Sequence, residues 1–206
     1  MTPDTPRASR SRFLALGDSY TIGESVAEAE RWPNQLAAAL RAEGLSVADP
    51  EIIAKTGWTT DELSSAIDAA APQGKYDLVT LLIGVNNQYR GRAAEEYRSQ
   101  LQTLLQRAIA YAGGDAKNVV VVSIPDWGVT PFAASRDRGQ IAAAIDAFNT
   151  INREEAEHAG ARYVDVTAVS RQPDPALVAG DQLHPSAKQY TEWMRLILPE
   201  ARAALR

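Results

Sequence analysis

Residues 78–83 read Leu78-Val79-Thr80-Leu81-Leu82-Ile83, and residues 119–124 read Val119-Val120-Val121-Val122-Ser123-Ile124. Runs this short point to strands rather than helices. Neither alternates apolar with polar, so both faces of each strand must be buried, which is the condition of a parallel sheet lying between helices. Working outward from Leu78–Ile83 and Val119–Ile124, the other strand candidates are Arg12–Leu16, Glu51–Ala54 and Arg162–Val166. Helical periodicity fills the gaps. Trp32–Ala42 begins with Pro33 in its first turn. Thr59 and Glu62 have capping-box spacing ahead of Leu63, Ala66 and Ile67. Tyr97, Leu101, Leu104, Leu105 and Ala108 line one helix face, and Ile141, Ala144, Ile145 and Phe148 another. A last helix carries Tyr190, Trp193, Met194, Ile197 and Leu198, with Pro199 expected to kink it or to start a new short one. The β-α alternation predicts a three-layer α/β/α sandwich around a five-stranded parallel sheet.

Length and composition fit that reading. The chain has 206 residues, 45% hydrophobic and 23% charged, which suits one domain with a real core. Residues 12–206 are read as a single domain and 1–11 as a polar, flexible N-terminal segment. The formal charge of −5 and the absence of a basic face argue against a nucleic-acid partner. No apolar run approaches a membrane span, and the polar start MTPDTPRASRSR holds no signal-peptide core, so a cytoplasmic location is the expectation. With no cysteine, disulfides, thiolate catalysis and cysteine metal sites are excluded.

In such a sheet, ligands bind beyond the carboxyl ends of the strands. Candidate residues should therefore follow strands. Ser19 follows the first strand, in FLALGDSYTIG. Gly57 follows the second, in AKTGWTT; Asn86 and Asn87 follow the third, in GVNN. Pro125-Asp126-Trp127 follows the fourth, and Asp181-Gln182-Leu183-His184-Pro185 the fifth. No one of these segments is specific alone; their convergence on one sheet edge is the signal.

The chain holds two histidines. His158 ends a helix before Gly160, where a cation complements the helix dipole, and it lies at the opposite sheet edge. His184 lies at the right edge, held extended by Pro185. Acyl transfer needs a hydroxyl, an imidazole to take its proton, a carboxylate to orient the imidazole, and donors for the developing oxyanion. Ser19, His184 and Asp181 fill the first three roles. The backbone N–H groups of Ser19 and Gly57 and the side-chain amide of Asn86 fill the fourth.

This ordered set resembles the SGNH, or GDSL-type, hydrolases. GDSYTIG matches their first block, Gly57 the second, GVNN the third and DQLHP the last. The resemblance covers nearly the whole chain. It implies a flavodoxin-like fold and a serine hydrolase of esters or thioesters, with Ser19 as nucleophile, His184 as base, Asp181 as its acid, and Gly57 with Asn86 as oxyanion donors. One position departs from the pattern: Asn87 stands where the family usually has Asp.

Other readings make their own expectations. A phosphate- or flavin-binding module would use Ser19, Thr21 and Gly23 at a helix start but leaves Asn86, Asp181 and His184 without a role. An inactive, ligand-binding relative would be favoured only by Asn87. A metallohydrolase lacks its motif. The reading adopted is hydrolysis of a small or short-acyl carboxylic ester, with no cofactor, no metal and a small-molecule ester as partner. Tyr20, Trp58, Asn87, Tyr89, Trp127 and Phe132 are the candidate substrate contacts, and Arg90 and Arg92 candidate contacts for an anionic substrate.

Overall fold

The computed structural model describes residues 10–206. The segment 1–11 lies outside the described residues except for its last two. Of these, Ser11 already belongs to the folded domain, bridging in parallel to Val47.

Five strands form one parallel sheet: β1 (Phe13–Gly17), β2 (Glu51–Ala54), β3 (Leu78–Leu82), β4 (Val119–Val122) and β5 (Arg162–Val164). Their spatial order is β2-β1-β3-β4-β5, the flavodoxin-like doubly wound arrangement. Every residue of β1, β3 and β4 is buried, as unbroken apolar runs require, whereas the edge strands β2 and β5 open with Glu51 and Arg162. The observed strands fall within one or two residues of the expected ones. β4 and β5 each end two residues early, where Ser123 Oγ accepts from the Val166 N–H between them.

The helices are α1 (Ser19–Ile22), α2 (Trp32–Ala42), α3 (Thr60–Ala70), α4 (Val85–Tyr89), α5 (Ala94–Tyr111), α6 (Arg138–Ala159), α7 (Thr167–Ser170) and α8 (Ala187–Ala204). α2 packs with α8 on one side of the sheet, and α3, α5 and α6 pack in series on the other. Trp32, Trp193, Tyr190, Tyr76 and Tyr97 are fully buried between the layers. The capping box at Thr59 forms, with Glu62 Oε2 accepting from the Thr59 N–H at 2.9 Å. His158 lies in the last turn of α6 ahead of Gly160, which takes the left-handed conformation.

One expectation is corrected in part. Helix α8 runs through Pro199 as one element, so no new helix starts there; the carbonyl this proline leaves without a helical donor belongs to Arg195, on an exposed turn. The short helices α1, α4 and α7 did not emerge from periodicity, since one turn carries no amphipathic repeat.

The order of strands puts the topological switch between β1 and β3, with β1 leading into α2 on one side of the sheet and β3 into α5 on the other. Gly17, the last residue of β1, pairs with Leu82 of β3. A Cβ there would stand 2.4 Å from the Leu82 carbonyl oxygen and 2.2 Å from Thr21 Oγ1. The substitution Gly17→Ala is expected to destabilise the fold by about 1–3 kcal/mol through backbone displacement, read as a lower midpoint in urea unfolding; an unchanged midpoint would contradict the close approach.

Candidate active site

The loop after β1 turns at once into α1. Asp18 is its N-cap, with Oδ1 accepting from the Tyr20 N–H at 3.0 Å. Ser19 is therefore the first helical residue rather than the cap, and its own N–H has no acceptor within the helix. Asp18 is fully buried, and its Oδ2 has no protein partner. Burial pushes its carboxyl up to about 7, against the opposing pull of the Tyr20 N–H.

Behind α8, the long connection after β5 folds into a fixed platform. Val178 bridges to Pro185, the Ala179 N–H donates to the His184 carbonyl at 2.8 Å, and Ser186 caps α8. On this platform, His184 Nδ1 lies 2.5 Å from Asp181 Oδ2. Asp181 has all its acceptor capacity filled. Oδ1 accepts from the N–H groups of Leu183 and His184, both at 3.0 Å. Oδ2 is shared with His184 and with the hydroxyl of Ser25 at 2.7 Å. Partial burial pushes the Asp181 carboxyl up, but the bonds from Leu183, Ser25 and His184 outweigh it and hold the group well below the usual carboxylate range.

After β3, α4 carries Asn86 and Asn87, which bond to different residues of the loop that leads into α3. Asn86 Nδ2 donates to the Trp58 carbonyl at 2.9 Å, which fixes the amide and leaves its second N–H uncommitted. Asn87 is buried. Its Oδ1 accepts from the Thr60 N–H at 3.1 Å, and its Nδ2 donates to Thr60 Oγ1 at 2.7 Å. The expectation that Asn87 contacts substrate is thereby corrected: its side chain pins the start of α3. An amide does this with one acceptor and one donor, so the missing carboxylate leaves no gap in the loop's bonding. Gly57 takes φ +88°, a conformation that favours glycine. Its carbonyl accepts from Arg90 Nη2 at 2.7 Å.

Ser19, Tyr20, Val85, Asn86, Tyr89, Trp127, Phe132, Leu183 and His184 enclose one cavity of about 180 Å³. The structure thus brings together Ser19, Asn86 and His184 with four of the six candidate substrate contacts. Trp58 and Gly57 do not line it; Trp58 takes part through its carbonyl, and its ring packs on the core. The Ser19 hydroxyl and the His184 ring share the wall without a direct hydrogen bond, as is common before substrate enters. Tyr20 sets the imidazole edge-on, with ring centroids 5.8 Å apart. Val85 and Leu183 were missed although each adjoins a named residue. Nothing in the sequence pointed to Ser25, which takes φ +67° to reach Asp181 across the fold.

The aromatic part of the wall is held from behind. Asp126 is buried, accepts from the Gly128 N–H at 2.9 Å and pairs with Arg171 Nε at 2.9 Å. Trp127 Nε1 donates to Gln88 Oε1 at 2.8 Å, and the rings of Tyr89, Trp127 and Phe132 meet at 5.3–6.4 Å. The Phe132 N–H donates to the Gln182 carbonyl at 3.1 Å, which couples this loop to the platform of His184.

The sequence profile of the GDSL-like Lipase/Acylhydrolase family matches residues 15–191. The chain belongs to this family. Its members are hydrolases acting on esters, and the five-stranded fold agrees. Among solved structures, TesA superposes with TM-score 0.73 at 19% identity, over 92% of this chain and 97% of that one. A lipase/acylhydrolase from Enterococcus faecalis gives 0.73 at 20%, over 95% and 97%. A variant of Axe2, an acetyl xylan esterase from Geobacillus stearothermophilus, gives 0.70 at 19%, over 94% and 95%. At such identities these likenesses show the fold alone. No curated protein matches the chain in sequence. Among the described residues, no helix is long and apolar enough to cross a membrane.

The buried Asp18 makes a prediction for this GDSL-type chain. Its carboxyl goes from an ordinary 3.8 to about 7 on folding, so between these values the folded state keeps a proton that the unfolded state has released. Stability from this group is full below pH about 4 and is lost as pH rises through about 7. Asp18→Asn, which cannot ionise, is expected to flatten that fall in a melting-temperature series across this range. Parallel curves for the two proteins would refute it.

Proposed function

We propose that the protein hydrolyses carboxylic esters with short acyl chains through an acyl-enzyme on Ser19. The observation that carries this is the meeting of Ser19 and His184 on one cavity wall, with His184 Nδ1 bonded to a carboxylate that the loop keeps ionised. A proton on Nδ1 leaves Nε2 as the basic nitrogen, available to the serine hydroxyl.

In the first step His184 accepts the Ser19 proton as Oγ attacks the ester carbonyl. The tetrahedral oxyanion is met by the Ser19 N–H, the Gly57 N–H and the second N–H of Asn86. The Trp58 carbonyl keeps Asn86 aimed, so the donor is in place before charge develops. Collapse of the intermediate breaks the ester C–O bond, and His184 protonates the departing alcohol. Water, activated by the same imidazole, then releases the acid and regenerates Ser19. Asp181 stays ionised and stabilises the imidazolium in both steps. Val85, Trp127, Phe132 and Leu183 give the cavity an apolar interior of about 180 Å³, which suits a short acyl group.

The test is hydrolysis of p-nitrophenyl esters of graded length. Activity is expected to be highest with the shortest chains and to fall as the acyl group outgrows the cavity. Ser19→Ala and His184→Ala should each lose about 10⁴-fold or more in kcat, and Asn86→Ala about 10²-fold. Equal rates in the parent, Ser19→Ala and His184→Ala would refute the mechanism.

A second prediction concerns Ser25. Ser25→Gly suits its positive φ while deleting the hydroxyl that Asp181 accepts. A fall in kcat of about tenfold without loss of thermal stability marks a positioning role; an unchanged kcat would show that the Leu183 and His184 N–H groups suffice.

A further inference from the structure

Tyr89 and Trp127 also line a second, larger cavity of about 540 Å³ on their other side, with Gln88, Arg136, Asp137 and Gln140 among its walls. The arginines at this sheet edge differ in one respect. Arg90 pairs with Glu62, and Arg92 with Asp61 and Glu96, so the two candidates for an anionic substrate have their charge already met. Arg136 has no carboxylate within 4.0 Å among the described residues. Its guanidinium instead sits 5.1 Å from the Tyr89 ring centroid, 5.4 Å from Trp127 and 5.7 Å from Phe132. Arg136 Nη2 donates to the Tyr89 hydroxyl at 3.1 Å. Aromatic faces fix a guanidinium without neutralising it. The one carboxylate on the same wall, Asp137, is engaged at the N-terminus of α6, where Oδ1 accepts from the Gln140 N–H.

We infer that this second cavity receives the alcohol portion of the substrate and that Arg136 binds an anionic group, carboxylate or phosphate, carried on that alcohol. The inference rests on the proposed ester hydrolysis and adds its substrate class. The apolar cavity at Ser19 takes the acyl group. The alcohol crosses the exposed Tyr89 ring to reach an uncompensated cation, whose remaining donors fit either oxyanion. The ester bond breaks as described above; the anionic group is a handle and takes no part in the chemistry.

The experiment compares phenyl acetate with its 3-carboxy, 3-phosphonooxy and 3-trimethylammonio derivatives, using the whole protein. The readout is kcat/KM relative to phenyl acetate within each variant, which cancels any general loss of activity. The parent should prefer at least one anionic ester by about tenfold, the two arms telling carboxylate from phosphate, and should disfavour the cationic one. Arg136→Gln should bring the anionic ratio near one, Arg136→Lys should keep part of it, and added salt should reduce it. A parental ratio at or below one, or a ratio unchanged in Arg136→Gln, would overturn the inference. Calorimetric titration with 3-hydroxybenzoate and 3-hydroxyphenyl phosphate reads the same cavity without catalysis. Binding lost in Arg136→Gln supports the inference even where phenyl acetate is not hydrolysed, an outcome that removes the esterase reading alone. Absence of binding of both anions to the parent overturns it.

Discussion

A Cβ on Gly17 would meet the Leu82 carbonyl oxygen at 2.4 Å, so the carboxyl ends of β1 and β3 approach with no room for a side chain at this position. The rest of the site depends on this approach. β1 runs into α1, and β3 runs through Gly84 into α4, so the junction sets Ser19 and Asn86 side by side at the switch point of the sheet. The remaining groups come to them. Gly57 arrives on the loop after β2, Trp127 after β4 and His184 after β5. Each of these loops is fastened to another: Asn86 to the Trp58 carbonyl, Arg90 to the Gly57 carbonyl, Phe132 to the Gln182 carbonyl. A site assembled from five loops becomes rigid because its members bond to one another as well as to the sheet.

Two carboxylates near the proposed nucleophile are shifted in opposite directions, and the difference lies in how many donors each receives. Asp181 collects two backbone N–H groups, a hydroxyl and the imidazole, which together outweigh its partial burial and favour the charge. Asp18 is fully buried with one backbone donor, so burial prevails and raises its carboxyl to about 7. A charged Asp18 would be a second anion beneath a hydroxyl that must itself become anionic during attack.

Much of this was legible in the sequence because it follows from burial pattern and position. LVTLLI and VVVVSI announced strands buried on both faces, and the rule that ligands sit beyond strand ends selected Ser19, Asn86 and His184 from a chain with many serines and asparagines. The two-histidine count then left one candidate base. What the sequence hid was partnership across the fold. Ser25 reaches Asp181 over 156 residues from a left-handed backbone at a non-glycine position. Arg136 sits among three rings, Trp127 and Phe132 from its own loop after β4 and Tyr89 from α4, and no spacing rule predicts that. Asn87 was misread for the same reason. Adjacent to Asn86 in sequence, it faces inward once α4 forms, since successive helical residues point about 100° apart, and its role becomes holding α3.

The central claim is that Ser19 is the residue that becomes acylated. Labelling with a fluorophosphonate probe followed by peptide mass spectrometry tests it most directly. The expected result is a single modified peptide carrying the adduct on Ser19, no adduct in Ser19→Ala, and slower labelling in His184→Ala. Continued ester turnover with Ser19 unlabelled, or an adduct on another residue, would contradict it.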